Sequence, residues 1–498
     1  MEQPAQRVFW GAACIKGMIV IGADASNAFG EAPAPKAPLY VTVDQPYREW
    51  WRSLGRGEIP PNYVLPVRHA LQGHPESPRL WAKHIDTIIQ KYIGLKPTTH
   101  EPCLYHGEYK GFEILFLRQV DDFAVASKNV QICHDIINDI SDHLSAKMKI
   151  LGVIDRYNGV QVDQTTDYIK IHNTEYISKI LQRHNWLQDK DRETPNITTP
   201  MRSDSKYITQ LETSSGPDTQ DEKDALQQSM NFSYRQALGE ILYAMVTCRP
   251  DISFSVIKLS QYANNPAEIH YQALKNVFRY LRTTIDHGLY FWRTSPLLDF
   301  DLPNSEYPRQ YHYENSQPNE VNKPQNILYG YMDSDWAGDV SHRRSVSGIA
   351  ILLAGAVVSY KSKLQPTVAL SSTEAEFAAA SEAGKIVLYL RTILEEINVP
   401  QEHATTLYED NDGALLMANA GQPTRRTRHI DIRYFALLDW VERDLLALEE
   451  IHSPENCSDP LTKAVGKNDF WKHYDILMGR KIPKFVEKRT YRHSLATR

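Results

Sequence analysis

Asp121 and Asp122 stand side by side inside an otherwise apolar run, "FEILFLRQVDDFAVAS" (112–127). Phe112, Ile114, Leu115, Phe116 and Leu117 lead in, Phe123, Val125 and Ala126 lead out, and both flanks have the composition of strands. A buried carboxylate pair is costly unless something positive compensates it. Successive side chains on a regular strand point to opposite faces, so the pair can approach one ligand only at a hairpin tip. There it would suit Mg2+, which prefers oxygen and takes one or two carboxylates plus phosphate oxygens. A solvated Asp-Asp turn is the plain alternative, and the hairpin alone does not separate the two. A further carboxylate, Asp24, closes the apolar run of "IVIGADASNAF", with Phe29 five residues on.

The elements that must position these residues are legible in outline. In "RLWAKHIDTIIQKYIGL", Trp81, Ile85, Ile88 and Tyr92 follow helical spacing and predict a core stripe. With sheet-like runs on either side of that helix, residues 1–165 read as α+β. Residues 166–232 read as a polar linker or connection, 233–293 as a compact helical segment and 294–326 as a second linker. From 327 to 465 the order is strand, strand, strand, helix, strand, a separate α/β domain. Its long helix carries Phe377, Ala380, Val387, Leu390, Leu394 and Ile397 on one face. Residues 466–498 read as a tail, and no internal repeat is seen.

The chain has 498 residues, too many for one ordinary core, and its 42% hydrophobic and 23% charged content is that of a globular protein. The net charge of −6 argues mildly against a nucleic-acid binder. Local basic stretches, "RRTRHIDIR" (425–433) and Arg343-Arg344, offset it. The five cysteines form no CxxC pair, which predicts reduced thiols and no zinc site. There is no signal-peptide pattern, and "MIVIGADA" is far shorter than a membrane span. An intracellular location, in a cytoplasmic particle or the nucleus, is expected.

Asp24 and Phe29 ahead of a Val-Asp-Asp hairpin resemble the palm of reverse transcriptases. Together with "PRLW" (78–81), "EPCLY" (101–105), "YRQALGEILYAMVTCRPDISFSV" (234–256), "YMDSDWAGD" (331–339), "VALSSTEAEF" (368–377), "RHIDIRYF" (428–435) and "NCSDPLTK" (456–463), the chain resembles the polymerase and ribonuclease H regions of a copia-type LTR retrotransposon polyprotein over most of residues 15–465. The resemblance implies an α+β multidomain fold: a palm-like domain with a helical thumb or connection, then an α/β ribonuclease H-like domain. It implies two Mg2+ ions per active site, with Mn2+ as a substitute, and assigns Asp24 and Asp121 as metal ligands with Asp122 beside them. Phe29 matches the aromatic gate against a ribose 2′-OH; core packing is its plain alternative. Gln72-Gly73, with Ser77-Pro78, matches the nucleotide-contacting loop. The sequence departs from the family at Gln119, where Tyr is usual, in the loop "LQGHPESP", and at Asn158, where Leu is usual. The chain opens close before Asp24, so most of the fingers that grip a triphosphate are expected to be missing.

In the ribonuclease H region the resemblance assigns four catalytic and metal-binding carboxylates: Asp333, Glu376, Asp410 and Asp459. Asp333 is preferred to Asp335 because it directly follows Tyr331-Met332 on the strand, and Glu376 to Glu374 from the alignment of Ser371-Ser372 through Ala375-Glu376-Phe377 with the helix motif. Arg425, Arg426 and Arg428 are expected at phosphates, and His429 and His452 away from any metal. The implied function is RNA-directed DNA synthesis plus cleavage of the RNA strand of an RNA–DNA hybrid. The partners would be an RNA template, a DNA primer, the hybrid and deoxynucleotides, with no membrane. The alternatives are a hybrid ribonuclease whose palm is dead, and a non-catalytic nucleic-acid-binding remnant.

Overall fold

The computed structural model describes residues 2–187, 197–295, 326–336, 343–419 and 431–483, with 297 and 338. The chain forms two compact units, Ile19–Asn158, and Met1–Met18 together with Gly159–Arg498. The lead helix α1 (Gln3–Ile15) thus belongs to the second.

The first unit is built on a six-stranded sheet of β1 (Ile19–Asp24), β2 (Lys96–Pro97), β3 (Leu104–Tyr109), β4 (Phe112–Gln119), β5 (Asp122–Ser127) and β6 (Lys149–Val153). The order is β2-β3-β4-β5-β1-β6, antiparallel throughout. Two of its helices are α2 (Ser77–Ile88) and α3 (Val130–Ser141). Helix α3 starts at Asn129, whose side chain accepts from the Gln131 N–H at 2.9 Å, and buries Ile132, Cys133, Ile136, Ile137 and Ile140. Helix α2 departs from the expected stripe. Trp81, Ile85 and Ile88 are buried, but the helix then widens into a π turn over Ile89–Ile93. That turn inserts a residue into the repeat. Ile89 and Ile93 therefore take the core positions, and Tyr92 is 50% exposed and stacks on His143 at 3.8 Å.

In the second unit β7 (Val160–Gln164), β8 (Tyr168–His172) and β9 (Gly288–Trp292) pair antiparallel. Residues 166–232 are more structured than their polarity predicts, with helices over Thr174–Arg183, Ser205–Thr213 and Gln220–Met230 besides β8. The last two bury only Leu211 between them and begin on side-chain caps, Asp204 and Thr219. Capping, invisible to a search for apolar periodicity, explains the difference. The expected tail likewise contains a helix, Lys467–Leu477, with Phe470, His473, Tyr474 and Leu477 buried.

The larger sheet comprises β10 (Tyr329–Asp335), β11 (Val346–Leu353), β12 (Ala356–Leu364), β13 (Thr405–Glu409) and β14 (Leu446–Glu450), in the order β12-β11-β10-β13-β14. β11 runs antiparallel to both β10 and β12; β13 runs parallel to β10 and β14 parallel to β13. The long helix α4 (Ser372–Glu396) packs against β10 and β11 through Phe377, Ala380, Val387, Leu390 and Leu394. This is the strand–strand–strand–helix–strand order of the sequence.

Arg7 of α1 fastens that helix to the second unit. Its guanidinium donates to the carbonyls of Val246, Thr247 (2.9 and 3.1 Å) and Val358 (3.3 Å), and to the Tyr360 hydroxyl at 3.0 Å, while lying over the Tyr360 ring. A buried cation satisfied by carbonyls rather than a carboxylate cannot be removed without orphaning several acceptors. Arg7→Leu should therefore lower the stability of the second unit by about 2–3 kcal/mol, read as a shift in its urea midpoint; an unshifted midpoint would mean that α1 is only loosely attached.

Candidate active sites

In the first unit, β4 and β5 are joined by the two-residue turn Val120-Asp121, with Gln119 paired to Asp122. Val120 has φ +56, a left-handed conformation unusual for a β-branched residue at a position where hairpins favour Gly or Asn. The Trp81 indole donates to the Val120 carbonyl at 2.7 Å and holds the turn to α2. The tip brings the aspartates into register: Asp24 pairs opposite Asp122, and the Ala25 N–H donates to the Asp121 carbonyl at 3.0 Å. Asp121 is exposed, Asp24 and Asp122 half-buried. The Asp122 carboxylate accepts from the Asn158 N–H at 3.1 Å. Its pKa is nonetheless raised, by burial first, against that hydrogen bond, with Asp121 and Asp24 adding to the rise. Phe29 lies half-buried in a one-turn helix (Ala28–Glu31), and Gln72 and Gly73 sit exposed before α2, Gly73 at φ +90.

The second unit holds a tighter cluster. Asp333 on the central strand β10, Glu376 in the first turns of α4 and Asp410 just beyond β13 each direct a carboxylate oxygen to one place, all within 4.8 Å of one another. Among the described residues this is the one set of three such groups close enough to share a cation, and the three aspartates of the first unit do not form another. The donors fit a hard divalent ion: all are oxygens, Asp333 and Glu376 are buried, and Glu376 Oε2 has no hydrogen-bond partner.

Helix capping separates the two glutamates. The Ser371 side chain accepts from the Glu374 N–H at 3.2 Å, while Glu374 Oε2 accepts from the Leu370 N–H at 2.7 Å. Glu374 thus serves the helix end, and Glu376, two residues on, turns inward. Asp335 lies outside the set of three. Its pKa is raised by burial first, with Lys463 opposing and Asp333 adding.

Asp459 opens a short helix, Asp459–Thr462, beside Asp333. Lys463 bridges the two, 2.8 Å from Asp459 and 3.7 Å from Asp333, and the Thr462 hydroxyl also donates to Asp333. Neither residue was singled out from the sequence, although Lys463 stands at i+4 from Asp459. A larger omission is Glu409. It is fully buried at the end of β13, its Oε1 accepts from the Asn411 N–H at 3.0 Å, and its Oε2 is unpartnered. An acid inside the apolar strand "TTLYED" was the available signal. Burial, then Glu409, Asp333 and Asp410, push Glu376 up to about 11, and burial raises Glu409 well above the usual range. Asp459 is pushed up to about 7 by burial and then Asp333. Arg425, Arg426, Arg428 and His429 lie outside the described residues. His452 is exposed and outside the acidic set.

A sheet with an aspartate hairpin in one unit, and a mixed sheet with converging acids in the other, define a fold of the reverse transcriptase and ribonuclease H-like class. The reverse transcriptase (RNA-dependent DNA polymerase) family model matches residues 55–198. The chain is 30% identical over 410 residues to the retrovirus-related Pol polyprotein from transposon TNT 1-94 of Nicotiana tabacum, covering 82% of this chain and 27% of that one. It is 26% identical to the Pol polyprotein from transposon RE1 of Arabidopsis thaliana, covering 82% and 24%. The chain is copia-like, with the reverse transcriptase region of a retrotransposon Pol polyprotein. It spans about a quarter of the length of these curated relatives. Among solved structures, LC11-RNase H1 isolated from compost aligns with 28% of this chain and 94% of its own, at 14% identity and a TM-score of 0.23. No helix among the described residues is long and apolar enough to cross a membrane.

The raised acids set a pH dependence. Each binds its proton more tightly folded than unfolded, so the stability it contributes is full below its unfolded pKa, near 4, and falls as pH rises through the folded value. For Asp459 the loss runs from about pH 4 to about 7, and for Glu376 it continues to about 11. In chelator, the melting temperature should therefore fall between pH 5 and pH 8. Mg2+ at pH 8 should recover part of the loss by binding the ionised acids. Melting curves that are flat with pH and indifferent to Mg2+ would contradict the proposed cation site.

Proposed function

We propose that the chain carries out two-metal phosphoryl transfer at both sites: RNA-directed DNA synthesis in the first unit and cleavage of the RNA strand of an RNA–DNA hybrid in the second. The observation that carries the reading is the convergence of Asp333, Glu376 and Asp410 from a strand, a helix and a strand end, with Asp459 beside Asp333. The family match over residues 55–198 supports the polymerase half.

When bound, Mg2+ ions would lower the pKa of the attacking water or primer hydroxyl and stabilise the leaving oxygen. The chain supplies the rest. Asp333, Glu376, Asp410 and Asp459 would hold the ions of the ribonuclease site, and Asp24 and Asp121, with Asp122 beside them, those of the polymerase site. The Asn158 N–H keeps the Asp122 carboxylate oriented. Lys463 and Thr462 hold Asp333 in place. Phe29 would exclude a ribonucleotide 2′-OH, with Gln72 and Gly73 contacting the nucleotide. Arg425, Arg426 and Arg428 would meet phosphates. Template, primer, hybrid and deoxynucleotides would be the partners.

A narrower reading, hybrid cleavage alone, is favoured by one contrast: the acids of the second unit meet the spacing for a shared cation, and those of the first do not. Primer extension and hybrid cleavage assays separate the two readings. Asp121→Asn should reduce extension by at least about a hundredfold, a loss of about 3 kcal/mol of transition-state stabilisation, while leaving cleavage intact. Glu376→Gln should abolish cleavage and Glu374→Gln should leave it nearly unchanged; the reverse outcome would overturn the assignment on α4. Extension absent from the parent chain, with cleavage present, would establish the narrower reading.

A further inference from the structure

Between Ala32 and Ala70 the chain leaves the first unit's sheet in a closed excursion. Its base is clamped: the Ala70 N–H donates to the Ala32 carbonyl at 2.9 Å, Pro33 bridges His69, and the Val67 N–H donates to the Leu39 carbonyl at 2.8 Å. Within it, the helix Gln45–Ser53 buries none of its residues. Of the fifteen large hydrophobic residues most exposed in the described structure, five (Tyr40, Trp50, Leu54, Tyr63 and Val64) lie in this short stretch. Such concentration of exposed apolar side chains in one short segment points to an interaction site.

The surface is aromatic, basic and braced. Tyr47, Trp50 and Trp51 form a ring cluster with centroids 5.2–6.5 Å apart, and the Arg56 guanidinium lies over Trp51 at 5.0 Å. Arg48 donates to the carbonyls of Val43, Ile59, Pro60 and Pro61, tying the following loop to the helix. Residues 33–69 hold five basic against three acidic side chains, a positive surplus on a chain of net charge −6. Aromatic faces interleaved with arginines suit unpaired bases and their phosphates; protein interfaces also use aromatics and arginine, so it is the positive surplus that favours a polyanionic strand.

We propose that this excursion is a platform for single-stranded nucleic acid, bases stacking on Trp50 and its neighbours and arginines meeting the backbone. The helix lies before residue 55, where the reverse transcriptase family match begins. The base of the excursion falls between Phe29 and Gln72, so a strand held here would lie next to the segments proposed to contact the nucleotide. The inference rests on the polymerase reading for why a strand is present, but its binding needs neither metal nor catalysis.

The test is fluorescence anisotropy of a labelled oligo(dT) strand with the full chain in chelator, over a salt series, with circular dichroism to verify folding. Trp50→Ala should weaken binding roughly tenfold through the lost stacking. Arg52→Gln, which breaks only an exposed pair with Glu58, should reduce the salt slope by about 0.7. Tyr92→Ala, an exposed aromatic elsewhere in the same unit, should change nothing. Unaltered affinity in Trp50→Ala, or no binding by the parent, would overturn the proposal. So would a Trp50→Ala effect confined to self-association in sedimentation, which would make the surface a protein contact. Absence of extension by the parent chain, with these binding differences present, would count against the polymerase reading alone.

Discussion

Repulsion among buried carboxylates is the constraint around which the second unit is organised. Asp333, Glu376, Glu409 and Asp459 are all buried, and Asp410 is half-buried beside them. Like charges in a poorly solvated pocket cannot all ionise without compensation. Protein groups supply part of it: Lys463 lies between Asp333 and Asp459, Thr462 donates to Asp333, and the Asn411 N–H donates to Glu409. The unpartnered oxygens of Glu376 and Glu409 are what remains. A divalent cation is the natural complement to that remainder, and the same physics raises the pKa values of Glu376, Glu409 and Asp459 in its absence.

The rest of the sheet serves this arrangement. The central strand must be flanked on both sides to place Asp333 between an antiparallel neighbour and the parallel strand that ends at Glu409. Helix α4 must begin at a fixed height to bring Glu376 inward, and the Ser371 and Glu374 caps set that start. Asn456 donates to the Met332 carbonyl at 2.8 Å, tying the segment that carries Asp459 to the central strand. The geometry of such a site depends on supporting hydrogen bonds as much as on the acids themselves.

The first unit solves a milder version of the problem. Its aspartates cluster at the end of a sheet where Asp121 is exposed and burial raises the Asp122 pKa. Strain replaces compensation as the visible cost: Val120 takes a left-handed conformation so that the turn can be two residues long. The turn then aims Asp121 outward while keeping Asp122 in the ladder opposite Asp24.

Much of this was legible in the sequence because it rests on local order. Acids placed singly within or beside apolar runs, the strand–strand–strand–helix–strand pattern and the Val-Asp-Asp hairpin follow from side-chain alternation and helical spacing, which neighbouring residues fix among themselves. The family resemblance added roles that spacing could not. Tertiary structure decided what depends on distant partners. The π turn moved Tyr92 out of the core because Ile89 and Ile93 filled the space. Helix α1 joined the second unit through Arg7, whose acceptors lie hundreds of residues away. Capped helices arose in segments with too little apolar surface to announce them. Glu409 and Lys463 entered the acidic cluster only because folding brought two strands, a helix and a C-terminal turn to one point, and an electrostatic field summed over such distant residues has no signature in any one stretch of chain.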